Sequence, residues 1–120
     1  MGFMGRQTGL ILLLAGCGLD CTAPRPSPNI ADADPTVKIA GIREAARNQD
    51  RSKLAALVEQ LNSDDPAVRL FAIGALSKLT GERFGYEYYV DDERRKPSLA
   101  KWQEWLKEQQ QKDVPVSLSK

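Results

Sequence analysis

The chain has 120 residues, with 17 Lys plus Arg against 16 Asp plus Glu, no histidine and two cysteines. Without histidine it lacks the commonest general base and the commonest metal ligand, and its balanced charge lacks the basic patch of a nucleic-acid binder. Its acids fall at helix starts, on charged faces and in loops, with no apolar pocket to raise a pKa. The chain is therefore read as no enzyme, with no catalytic residue, no cofactor, no metal and no nucleic-acid partner.

Arg6 precedes the apolar run Leu10 to Ala15, which closes on the small pair Ala15 and Gly16. A basic start, a short apolar segment and a small-residue cleavage site form a secretory signal over residues 1–16. The run is too short to cross a bilayer, which takes about 20 apolar residues.

Leu14-Ala15-Gly16-Cys17 resembles the lipobox of bacterial lipoproteins. The resemblance implies cleavage between Gly16 and Cys17, acylation of Cys17, and a mature chain anchored in a lipid bilayer of the bacterial cell envelope. Each buried methylene of such an anchor contributes about 0.8 kcal/mol, and several chains together hold firmly. Gly18 stands where an Asp retains many lipoproteins at an inner membrane, which points to the outer membrane in a cell that has two. Loss of residues 1–16 removes Arg6 alone, so 16 basic groups then face 16 acidic ones. Cys21 is left as the one free thiol, too few for a zinc site or an internal disulfide.

Pro24, Pro26 and Pro28, with Ser27 and Asn29, mark Thr22 to Ala33 as extended chain. Residues 17–33 are expected to be the lipidated cysteine and a flexible tether. A folded domain is expected over 34–112, of marginal size for one core, and a flexible tail over 113–120.

Asp34-Pro35-Thr36-Val37-Lys38-Ile39 recurs 31 positions later as Asp65-Pro66-Ala67-Val68-Arg69-Leu70, with Ile42 over Ile73 and Arg47 over Lys78. In each copy the Asp can accept from free helix N–H groups, and the Pro sits at the first helical position, where its missing donor costs nothing. Two helices thus start alike. Between them Asp50 opens a third pattern, with Leu54, Leu57, Val58 and Leu61 on one face and Asn62 and Ser63 at its end. Such short turns make neighbouring helices antiparallel. In the helix from Pro66 to Thr80, Val68, Leu70, Phe71, Ala72, Ile73, Ala75, Leu76 and Leu79 cover nearly the whole circumference. A helix apolar on most sides is buried, so both Leu70 and Phe71 are expected in the core.

Asp65-Pro66-x-Val68-Arg69, followed by Ala72, Ala75 and Leu76, resembles the HEAT-repeat family, in particular the short helical hairpins of bacterial members. The resemblance implies an all-α stack in which Asp34 and Asp65 cap the first helix of each unit and Arg69 joins a polar ladder between units. It covers residues 34 to 80, and the 31-residue period is shorter than the roughly 40 to 47 of standard units.

A short stack leaves an apolar end that a cap must cover. Gly81 can stop the helix at Thr80, after which Phe84, Gly85 and Tyr86 turn the chain back. Asp91, Asp92 and Glu93 read as a solvated charged loop. Pro97 or Ser98 is expected to begin a last helix with Leu99, Trp102, Trp105 and Leu106 on one arc. Thr80-Gly81-x-x-Phe84-Gly85-Tyr86 with Trp102-x-x-Trp105 also resembles the carboxy-terminal segment of some bacterial HEAT-repeat proteins.

The expected fold is an all-α, HEAT-like antiparallel stack of about four helices with an aromatic C-terminal cap. Phe84, Tyr86, Trp102 and Trp105 are assigned to the cap, and the adjacent Tyr88 and Tyr89 to a candidate partner-binding spot in the connector. The function expected is a membrane-anchored interaction or scaffolding module with an unidentified envelope protein as partner. The alternative is a small peptide- or glycan-binding module that uses the aromatic residues near the cap.

Overall fold

A computed structural model describes residues 27–113. Gly16, Cys17, the signal segment, the first part of the expected tether and residues 114–120 lie outside that range.

The described chain is all helix and turn: α1 (Pro35–Arg47), a 3-10 turn (Arg51–Lys53), α2 (Leu54–Gln60), α3 (Pro66–Thr80) and α4 (Asp92–Lys112). The repeated Asp-Pro pairs start α1 and α3 in the same way. Asp34 accepts from the Thr36 N–H and Asp65 from the Ala67 N–H, each at 2.8 Å, with Pro35 and Pro66 in the first turn. Each carboxylate also sits at the positive end of a helix dipole. Asp50 repeats the device before the 3-10 turn, where it accepts from the Ser52 N–H and hydroxyl. These two bonds hold its carboxyl below the ordinary value. Gly81 ends α3 in the left-handed conformation at φ 78°, open to it because glycine has no Cβ.

The core is one apolar cluster at the centre of the stack. Ile42, Leu57, Leu61, Val68, Ile73, Leu76 and Trp102 are its large, fully buried side chains. α3 packs against both α1 and α2, while α4 lies against α2. Arg51 ties the 3-10 turn to the end of α3 by donating from Nη1 to the Leu79 carbonyl at 2.8 Å.

Three features depart from the sequence expectations. The folded unit starts before Asp34, because Ile30 is buried in the core and the Asn29 N–H donates to the Val37 carbonyl. This strap crosses α1 at Gly41, where a Cβ would stand 2.7 Å from the Ile30 nitrogen. An apolar anchor and a matching glycine thus outweigh the extended composition of the segment around them.

The last helix begins at Asp92, not at Pro97 or Ser98. Asp91 caps it by accepting from the Arg94 N–H at 2.9 Å, and Asp92 and Glu93 occupy the first turn. Asp91–Arg94, Asp92–Arg95 and Glu93–Lys96 form ion pairs three residues apart. The acidic stretch is therefore helix rather than loop, drawn in by the positive helix end and by the basic residues that follow. Pro97 is carried inside the helix.

The third departure concerns α3. Leu70 is 43% exposed and Phe71 37%, so the helix is central but not enclosed. Two neighbouring helices cover two faces of a helix, and α4 closes the stack over α2 instead of over the third face of α3.

The cap itself is aromatic. Trp102 is fully buried, with the Phe84 ring edge-on at 4.8 Å and the Trp105 ring at 5.7 Å. Leu99, Trp105 and Leu106 pack partly buried beside it. Phe84 takes a left-handed backbone at φ 51°, costly for a side chain of that size and offset here by the ring's packing on Trp102.

Candidate functional site

The sequence-expected residues do not converge on one place. Asp34, Pro35, Asp65 and Pro66 stand at helix starts, and Cys17 and Gly16 lie outside the described residues. Arg69 is only 7% exposed. Its guanidinium donates to three main-chain carbonyls, those of Ser63 at 2.7 Å, Asp64 at 3.1 Å and Tyr88 at 2.9 Å. These are acceptors in the α2–α3 turn and in the connector before α4. Arg69 therefore acts as a clasp inside the unit.

Tyr88 is half-buried and Tyr89 is 66% exposed, with their rings edge to face at 5.3 Å. The Glu87 carboxylate beside Tyr89 raises its phenol above the ordinary value. Tyr86 is buried, and its hydroxyl donates to the Leu61 carbonyl. Burial raises this phenol too, against the opposing pull of Arg95 and Arg69. A sugar-stacking platform needs exposed ring faces; Tyr86 and Trp102 are buried in packing, while the part-buried Phe84 and Trp105 line a shallow cleft with Lys101, Glu104 and Glu108.

A different surface draws attention. Between α1 and α3 runs a trough of about 350 Å³ floored by Ile42, Ala46, Leu70, Phe71, Gly74 and Ala75, with Arg43 and Lys78 at its edges. Its size falls in the range of small-ligand clefts, but its walls are almost wholly hydrocarbon. Leu70 and Phe71 are two of the three large apolar residues exposed in the described region, the third being Tyr89. Other clefts are mixed in character. One of about 300 Å³ beside the strap is lined by Glu44, Asn48, Asp50 and Lys53 along with the strap itself.

The trough can bind but carries no chemistry for catalysis. It brings together no acid–base pair, and its only ionisable groups are the cations Arg43 and Lys78. Among the described residues no group of three or more His, Cys, Asp or Glu could hold a metal ion, and no helix is long and apolar enough to cross a membrane.

Sequence reasoning missed the trough because it counted the all-round apolarity of α3 as burial. Two signals were available. A stack of this length leaves α3 only two full helical neighbours, and Gly74 interrupts the pattern in mid-helix where a buried face would favour Ala or Leu.

The family model for HEAT repeats matches residues 28–101, more than half of the chain, and the chain belongs to that family. The match begins at the strap and ends within α4, so the strap and the cap both fall within it. No curated protein and no solved structure matches the chain.

Proposed function

We propose that this HEAT-repeat chain is a lipid-anchored interaction module of a bacterial cell envelope, holding a protein partner close to a membrane. HEAT repeats generally mediate contacts between proteins, and the family is typically a scaffold without an active site. The observation that carries the reading is the exposure of Leu70 and Phe71 on α3, a helix whose other large apolar residues pack inward. A short stack that leaves such a face in water has a surface suited to a partner.

The anchoring half of the reading rests on Leu14-Ala15-Gly16-Cys17. Acyl chains on Cys17 would confine the stack to one membrane face. The 12 residue-to-residue steps from Cys17 to Asn29 would let it stand at most about 40 Å away. Confinement of this kind raises the effective concentration of any partner on the same membrane without new contacts.

The test is metabolic labelling with an alkyne fatty acid, followed by fractionation. The wild-type chain should take up label and sediment with membranes, while Cys17→Ser should do neither. Equal labelling of both chains would refute the anchor.

A further inference from the structure

Charge separates the trough between α1 and α3 from an ordinary gap in packing. Arg43 and Lys78 flank it and no acidic residue lines it. Among the described residues neither cation has a carboxylate within ion-pair distance, since the three ion pairs all lie at the start of α4. The lining thus joins an apolar floor to two free positive charges.

Gly74 supplies a second argument. A Cβ built there meets nothing within 4 Å, so the chain's own packing does not require glycine at this position. Glycine inside a helix destabilises it relative to alanine. What it provides is bare backbone at the floor of the trough, where another chain can approach closely.

We propose that the trough is the docking site for an acidic amphipathic helix of a partner protein. Apolar side chains of that helix seat between α1 and α3 beside Gly74, and carboxylates next to them pair with Arg43 and Lys78. This names the class of partner and rests on the interaction-module reading above.

The shape favours a helix, because a furrow between two helices accepts the side-chain ridge of a third. Among the described residues no strand offers an edge for an extended peptide to extend. A bilayer surface fits less well. The apolar surface is a recess between two helices, which the side-chain ridge of a helix can enter and a broad membrane face meets less closely.

The experiment uses the full chain in cells, with p-benzoylphenylalanine placed singly at Leu70 or at Tyr89 and the photo-crosslinked segments sequenced by mass spectrometry. From position 70 the segment captured should carry apolar residues at helical spacing with at least two adjacent carboxylates. As a synthetic peptide it should bind wild-type protein at least tenfold more tightly than R43E/K78E. A peptide with those acids changed to lysine should reverse the preference. Both reversed residues are exposed, and an unchanged melting temperature will show that the variant is folded.

Capture from position 70 of a second copy of this chain, of lipid, or of a segment without carboxylates would overturn the proposal, as would an affinity indifferent to the charge reversal. Protein crosslinks from Tyr89 alone would remove the trough but leave the interaction module standing. Protein crosslinks from neither position would remove both.

Discussion

Arg69 in α3 and Tyr88 in the connector are joined across 19 residues of sequence by a hydrogen bond of 2.9 Å, from the guanidinium Nε to the tyrosine carbonyl. The same side chain holds the α2–α3 turn through Ser63 and Asp64. One buried cation thus fixes the hairpin and aims the chain that returns to form the cap. No ion pair involves it among the described residues, and main-chain carbonyl dipoles stabilise its charge.

Arg69→Met should therefore destabilise the fold by about 2 kcal/mol, since it breaks charge-assisted bonds to three part-buried carbonyls and unties the turn from the connector. Lys cannot reproduce a planar fork that reaches three acceptors, so Arg69→Lys should recover only part of the loss. Urea denaturation of the three proteins checks the order. A loss under 1 kcal/mol in Arg69→Met would remove the clasp.

Phe71 and Ile73 are two residues apart on one helix and should respond very differently. Ile73 is 1% exposed and Phe71 37%. Ile73→Ala should cost about 2 to 5 kcal/mol, whereas Phe71→Ala should cost about 1 kcal/mol, because a side chain already partly in water has less transfer energy to lose. Equal losses would mean that α3 is enclosed after all.

The two helical glycines form a second contrasting pair. Gly74→Ala should stabilise the protein by about 0.5 to 1 kcal/mol, because the methyl enters open space and the helix gains propensity. Gly41→Ala should destabilise it by about 1 to 3 kcal/mol, because the new Cβ runs into the backbone of Asn29 and Ile30 and must lift the strap. Thermal melts of the two variants should move in opposite directions. A neutral Gly41→Ala would show that the strap is not part of the fold.

These contrasts also mark what could be read from sequence. The two helix starts were legible because Asp-Pro makes a local signal whose geometry is complete within four residues. Gly81 was legible for the same reason. The strap was not, because three prolines outweigh a single Ile30 in any composition window, and only the notch at Gly41 shows where that isoleucine goes. The start of α4 was missed because Pro97 is itself a first-turn signal and masked a better cap six residues earlier, at Asp91. The trough was the least legible feature. Apolar residues around a whole helix state how much surface could be buried, while the number of neighbours decides how much is.

With no histidine in the chain, stability should change little between about pH 6 and 9. Burial raises the Tyr86 phenol above its ordinary value, so above about pH 10 the unfolded chain gives up this proton before the folded one does. The stability this group contributes is thus fully present below pH 10 and declines as the pH rises through the folded-state value. Tyr86→Phe should lose about 1 kcal/mol at neutral pH, where the Leu61 carbonyl loses its donor, and should decline less steeply above pH 10. Parallel alkaline profiles for the two proteins would show that another group governs the decline.

The central claim is that α3 keeps one face open for a partner and not for the fold. It is tested most directly by Gly74→Leu, read in parallel by thermal melting of the purified chain and by recovery of the crosslinked complex from cells. A Cβ at this position meets nothing within 4 Å, and the position lines the open trough into which the rest of the Leu side chain would extend. The melting temperature should stay within a few degrees of wild type while the complex is lost. A variant that melts like wild type and still recovers the complex in full would contradict the claim.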